Sequence, residues 1–210
     1  MTRQNYLNEL ESVRENLVRM GDTTIALLSE AIRTISGSTD SAARASELEA
    51  QTDHQHRLIH DQCFSLITLQ APVARDARLI TGILDAIVDL ELIGDYAYEI
   101  VTLNHSITHR PPLQILTQIA ELGTRIRDTL SGAIDVWRGQ DGSQALSARP
   151  VEASVRAECQ TLYEKLSRLL ASPVDGTPYA TLLIICRHFE RILRHAVCVA
   201  EQAVAAAPAV

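Results

Sequence analysis

One short run of residues occurs twice in this chain. Leu28-Ser29-Glu30-Ala31-Ile32 returns as Leu130-Ser131-Gly132-Ala133-Ile134, and Met20-Gly21 returns as Leu122-Gly123 at the same displacement of 102 positions. Farther along, Glu49 maps to Glu152 and Glu91 to Glu190. Such a repeat calls for two like structural units. Within the first unit, Leu10, Val13, Leu17, Met20, Thr24, Leu27, Leu28, Ala31, Ile32 and Ile35 recur at spacings of three and four, the period of a helix with one buried face. Residues 36–40, 104–112, 139–143 and 172–176 interrupt the pattern with Gly, Ser, Asp and Pro. Each half then reads as long helix, long helix, proline turn, long helix. The expected fold is all-α, with two tandem three-helix bundles over 1–104 and 112–207.

Composition narrows the function classes. With a net charge of −7, a nucleic-acid surface is not the first expectation. No run of 18 apolar residues marks a membrane span, and the first residues, Met1 to Tyr6, lack a signal-peptide core. A cytoplasmic protein is expected. Cys63, Cys159, Cys186 and Cys198 show no metal- or redox-type spacing and read as reduced thiols in the core.

Four acids carry the chemistry. Glu49 and Asp53 lie four apart, as do Glu91 and Asp95, which is one helical turn in each case. Folding the chain at Pro72 places Asp53 opposite Glu91 and Glu49 opposite Asp95. Helical rotation aligns Glu91 with Val73, Ile80, Leu84, Ile87 and Tyr98, so that Glu91 and Asp95 fall inside an apolar stripe. Asp85 and Asp89 fall on the opposite side with Arg78, a face expected to be solvated. Glu49 aligns with His56, His60, Cys63 and Ile67.

Four facing carboxylates cannot stay buried and ionised unaided. Bound cations can neutralise them, with Mg, Mn, Fe or Ca suited to oxygen ligands. Arg14 and Arg19 of the first helix can pair with them instead, or the site can stay wet. His56 and His60 admit a zinc or mixed His/carboxylate variant, or act as ordinary hydrogen-bonded histidines. His188 and His195 read as solvated.

The second half repeats the arithmetic around Pro173 with altered chemistry. Glu152 and Arg156 stand for Glu49 and Asp53; Glu190 and Arg194 stand for Glu91 and Asp95. Crossed ion pairs, Arg156 to Glu190 and Arg194 to Glu152, are expected to replace a metal there.

These motifs resemble the PhoU family of phosphate-uptake regulators over nearly the whole chain. Pro72-Val73-Ala74-Arg75-Asp76-Ala77-Arg78 is similar to the family's Pro-x-Ala-x-Asp-Leu-Arg. Glu91-Leu92-Ile93-Gly94-Asp95 is similar to its Glu-Arg-Ile-Gly-Asp, and Glu49 to Asp53 to its acidic pair at that spacing. The second half keeps Phe189-Glu190-Arg191-Ile192, then carries Leu193-Arg194 where the family has Gly-Asp. The resemblance implies tandem three-helix bundles and a metal cluster, often iron, at Glu49, Asp53, Glu91 and Asp95. Mg, Mn or Zn are further candidates, and none is expected in the second bundle. It also implies a homodimer and a cytoplasmic adaptor that damps phosphate uptake and starvation signalling. Its expected partners are the ATPase of a phosphate ATP-binding-cassette transporter and a sensor histidine kinase, with the membrane reached only through them and no direct nucleic-acid contact.

Two competing functions are a metal-free structural adaptor and a carboxylate-bridged metalloenzyme. No nucleophile–base pair or phosphate-cradling glycine loop favours the enzyme.

Overall fold

The computed structural model describes residues 3–38, 40–70, 74–139, 148–171 and 176–206. Among these, six helices follow one another: α1 (Arg3–Ile35), α2 (Ser41–Gln70), α3 (Ala74–His105), α4 (Leu113–Trp137), α5 (Ala148–Leu170) and α6 (Thr177–Ala206). Every apolar position named for the first helix is buried in α1. Pro72 and Pro173, the expected pivots, lie outside the described residues. Pro150 sits in the first turn of α5, where a missing N–H is harmless.

The breaks have local causes. After α1 the chain turns at Gly37, whose φ of 107° suits only a residue without a side chain. Arg110 packs its guanidinium over this glycine and donates to the Ile35 carbonyl at 3.4 Å. Asn104 donates to the Thr34 carbonyl at 3.0 Å. The stretch read as a linker is therefore tied to the end of α1 and satisfies carbonyls that the helix leaves open. Pro112 then serves as the N-cap of α4.

Helices α2, α3, α6 and α5 lie side by side as one layer, with α1 and α4 packed beneath them. One continuous apolar core runs through both halves, and Phe189, Leu17, Leu27 and Ile93 are among its fully buried side chains. The repeat becomes a pseudo-twofold where α1 crosses α4. A Cβ built on Gly21 would run into Ile134, and one built on Gly123 would meet Ile32 Cγ1 at 2.9 Å. Glycine and isoleucine from each repeat thus exchange places, and the two helices approach through the gap that the glycines leave. Farther out, α5 stands off from α4. The groove between them holds Leu116, Ala120 and Leu162, and Lys165 crosses it to Gln118 at 2.8 Å.

The face of α3 expected to be solvated is half covered. Asp85 and Arg78 are exposed, as expected. Asp89 is not: its carboxylate takes His195 Nδ1 at 2.7 Å and Gln202 Nε2 at 2.8 Å, both from α6. His188 is buried, with Nε2 3.2 Å from the Glu99 carboxylate. Both histidines, expected in solvent, therefore lie in the seam between the halves. The periodicity indicates one buried stripe per helix, whereas α3 and α6 are each packed on two sides.

Candidate metal centre

Three of the four acids converge. Glu49 and Asp53 from α2 and Asp95 from α3 each bring a carboxylate oxygen within 4.8 Å of the others. Thr52 and Gly94 pack against each other at this level, where a Cβ on Gly94 would lie 3.4 Å from Thr52 Cγ2. Asp95 stands against both acids of α2. Glu91 faces His56 instead, with Oε2 3.6 Å from Nδ1. The Pro72 mirror had set Glu91 against Asp53 and Asp95 against Glu49. The mirror's pairing of Asp95 with Glu49 is found, with Asp53 added to it, whereas Glu91 meets His56 in place of Asp53.

The acids also sit farther out than the stripe implied. Asp95 is exposed at its edge, and Glu91 is about one-third exposed. The buried arc of α3 runs through Ile83, Ala86, Leu90, Ile93 and Ala97, rotated toward α6. Val88, on the same side of α3 as Asp95, is exposed.

Charge is nevertheless concentrated there. Burial, then the charges of Glu91, Asp53, Glu49 and Glu99, push the Asp95 carboxyl up to about 6. Burial and Asp53 raise Glu49 as well. The alternative neutralisers are engaged elsewhere: Arg14 holds Glu11 and the Trp137 carbonyl, and Arg19 holds Glu15. Among the described residues, no arginine or lysine forms an ion pair with Glu49, Asp53, Glu91 or Asp95. His60 is exposed beside Asp61.

An oxygen-only donor set of this span fits a hard or borderline cation. Oxygens bound at about 2.1–2.5 Å to one ion lie at most about 4.2–5 Å apart. The three oxygens meet that limit with little closure.

The second half is built differently. Glu152, Arg156 and Glu190 line an open cleft of about 710 Å³ with Gln160 and Tyr163. The ion pairs run along the helices rather than across: Arg156 to Glu152 at 2.6 Å, and Arg187 to Glu190. Tyr163 donates to Glu190 at 3.1 Å, which helps to hold that carboxylate against α5. Arg194 is exposed, and no crossed pair with Glu152 forms among the described residues. An i,i+4 or i,i+3 partner is always within reach, whereas a pair across two helices must also satisfy their spacing.

Sequence reasoning missed the polar seam. Tyr96 stacks between His188 and His195, with ring centroids at 5.4 and 6.0 Å, and Arg191 lies 5.4 Å above its ring. One signal was available. Moved by the 99 positions that relate Glu91 to Glu190, Asp89 falls on His188 and Tyr96 on His195. The four residues are two symmetry-related pairs. All four cysteines are free; Cys63, Cys159 and Cys186 are buried and Cys198 is partly so. Burial raises the thiols of Cys63 to about 12 and of Cys159 to about 11.

The PhoU domain matches residues 17–103 and again 119–203. A "phosphate-specific transport system accessory protein PhoU homolog" of Synechocystis is 28% identical over 207 residues, covering 95% of this chain and 90% of that one. The Pseudomonas putida protein of the same description is 26% identical, covering 92% and 77%. The crystal structure of PhoU from Pseudomonas aeruginosa superposes with a TM-score of 0.86 at 25% identity, covering 95% of this chain and 97% of that one. Among the described residues, no helix is long and apolar enough to cross a membrane.

Proposed function

Because the chain belongs to the PhoU family, we propose that it is the accessory regulator of a phosphate-specific transport system. On this reading it damps phosphate uptake and starvation signalling by contacting the transporter's ATPase subunit and a sensor histidine kinase. It acts as an adaptor in the cytoplasm, without catalysis. The observation that carries the metal part of the reading is the convergence of Glu49, Asp53 and Asp95, with no basic residue among those described to neutralise them. These three, with Glu91 beside them, would hold a cation. Bound there, it would cancel the repulsion and clamp α2 to α3. The chain's own contribution is to present three oxygens from two helices at the outer margin, within reach of solvent or a docked partner. The second half has arginines where a second cluster would need acids, and on this reading it binds no metal.

One preparation tests both parts. Protein purified without chelator is used to capture the transporter ATPase and candidate kinases at high and low phosphate, and its metal content is measured. Capture that depends on phosphate, with metal lost in the double variant Glu91→Ala, Asp95→Ala, is the expected outcome. Unchanged metal in that variant overturns the site. Capture without any metal in the wild type leaves a metal-free adaptor.

A further inference from the structure

We propose that the groove between α4 and α5 binds a single-chain amphiphile with a carboxylate head, in chemical class a free long-chain fatty acid, and that Lys165 holds the head. The inference is independent of the metal reading above.

The repeat shows why a groove exists here. Asn16 of α1 donates to Gln62 of α2 at 2.9 Å. Moved by 102 and 103 positions, Asn16 becomes Gln118 and Gln62 becomes Lys165. These two are joined in turn, at 2.8 Å. The same link ties both helix pairs, but in the second half it takes a longer side chain. Beside it, Val18 of the first half becomes Ala120, and the space that the valine fills is left open. Helix α2 packs along α1, whereas α5 stands off from α4. What remains is a groove of about 1020 Å³, the size of a small-molecule site.

Its shape selects a thin ligand. Leu116, Ala120 and Leu162 floor it, yet they are only 2–9% exposed. Lys165 spans it to Gln118, and Arg125 spans it to Glu158. A gap that one side chain crosses is too narrow for a helix of about 10 Å diameter. It admits an alkyl chain, which needs only about 4 Å to the carbons on either side.

Charge selects the head. Lys165 is the only lysine in the chain. Among the described residues, its ammonium bonds a neutral amide and pairs with no acid. Two of its three N–H groups are then available to a carboxylate. Arg125 is already held by Glu158, and Glu121 is exposed on the same rim, so an anion is favoured at Lys165 and not farther along. The tail then lies over Leu116, Ala120 and Leu162, where it leaves water.

The test titrates full-length protein with dodecanoate, dodecanol and dodecyltrimethylammonium below their aggregation concentrations, read by displacement of a fluorescent fatty-acid probe. Dodecanoate should bind one per chain, at least tenfold more tightly than the other two. Lys165→Gln and Ala120→Val each restore the residue of the first repeat. Lys165→Gln should weaken dodecanoate at least tenfold and leave dodecanol unchanged, whereas Ala120→Val should weaken both. Thermal melts check that each variant folds; if Ala120→Val does not, Lys165→Gln alone decides. If the three ligands bind alike, or Lys165→Gln changes nothing, the inference fails. Absence of saturable binding overturns it as well. So does an apolar helical peptide that displaces the probe more tightly than dodecanoate, since the groove would then be a protein-docking surface.

Discussion

Asp95 is the residue on which the site's electrostatics turn. It faces Glu49 and Asp53 directly and feels Glu91 and Glu99 along its own helix. A carboxyl raised to about 6 penalises the folded state at neutral pH, and the penalty fades only as acid protonates the group. Because Asp95 is exposed, solvent screens much of it, and on the order of 1 kcal/mol remains. In chelator, Asp95→Asn should therefore be more stable than wild type, with a Tm higher by about 2–4 °C at this chain length. With saturating Mn²⁺ the order should reverse, because binding stabilises only the chain that holds the ion. Thermal melts in both conditions decide it. A variant less stable than wild type in both would make Asp95 a structural residue and remove the charge argument.

At the scale of the helices, the α1–α4 crossing depends on what is missing from two positions. A Cβ at Gly123 would lie 2.8 Å from Phe189 Cζ and 2.9 Å from Ile32 Cγ1. Phe189 is fully buried and cannot swing away. Gly123→Ala should cost about 1–3 kcal/mol through overpacking, despite the better helix propensity of alanine. Gly132 provides the control on the same helix, since a Cβ there meets nothing within 4 Å. Gly132→Ala should stabilise by up to about 1 kcal/mol. Urea melts of the two variants should shift in opposite directions. The helices themselves were legible from the sequence, because three-and-four spacing and Gly/Pro breaks are local signals. Register was legible in part: the fold at Pro72 set Asp95 against Glu49, as found, but not Asp53 beside them or Glu91 against His56, because a period cannot report a contact between helices. The same limit explains Glu152 and Arg156, whose alignment was read across the hairpin but whose ion pair runs along α5.

At the scale of the whole molecule, the two halves are joined by a polar seam as well as by the continuous apolar core. Reading each half as a self-contained bundle left the outer faces of α3 and α6 for solvent. In the fold those faces meet, and Asp89, Tyr96, Glu99, His188, Arg191 and His195 share the seam. His188 is its weak point: one ring nitrogen faces Glu99, while the other, Nδ1, is buried without a hydrogen-bond partner. Burial lowers its pKa; Glu99 partly offsets this, and Arg191 adds to the lowering. The sign of the stability effect follows. The folded state prefers the neutral ring, so this contribution is intact above the ordinary histidine pKa of about 6.5 and is lost as pH falls below it. His188→Phe keeps a ring against Tyr96, removes the unpartnered nitrogen and abolishes the titration. Glu99, more than half exposed, can turn to water in that variant. At pH 8 it should match the wild type or exceed it by about 1 kcal/mol, since an orphaned buried polar atom is relieved. Between pH 7 and 5.5 its stability should fall less steeply than that of the wild type. Parallel pH profiles from denaturant melts would show this. An unchanged slope would mean that the ring is not held neutral in the seam, and a large loss at pH 8 would mean that its bond to Glu99 outweighs the cost of the buried nitrogen.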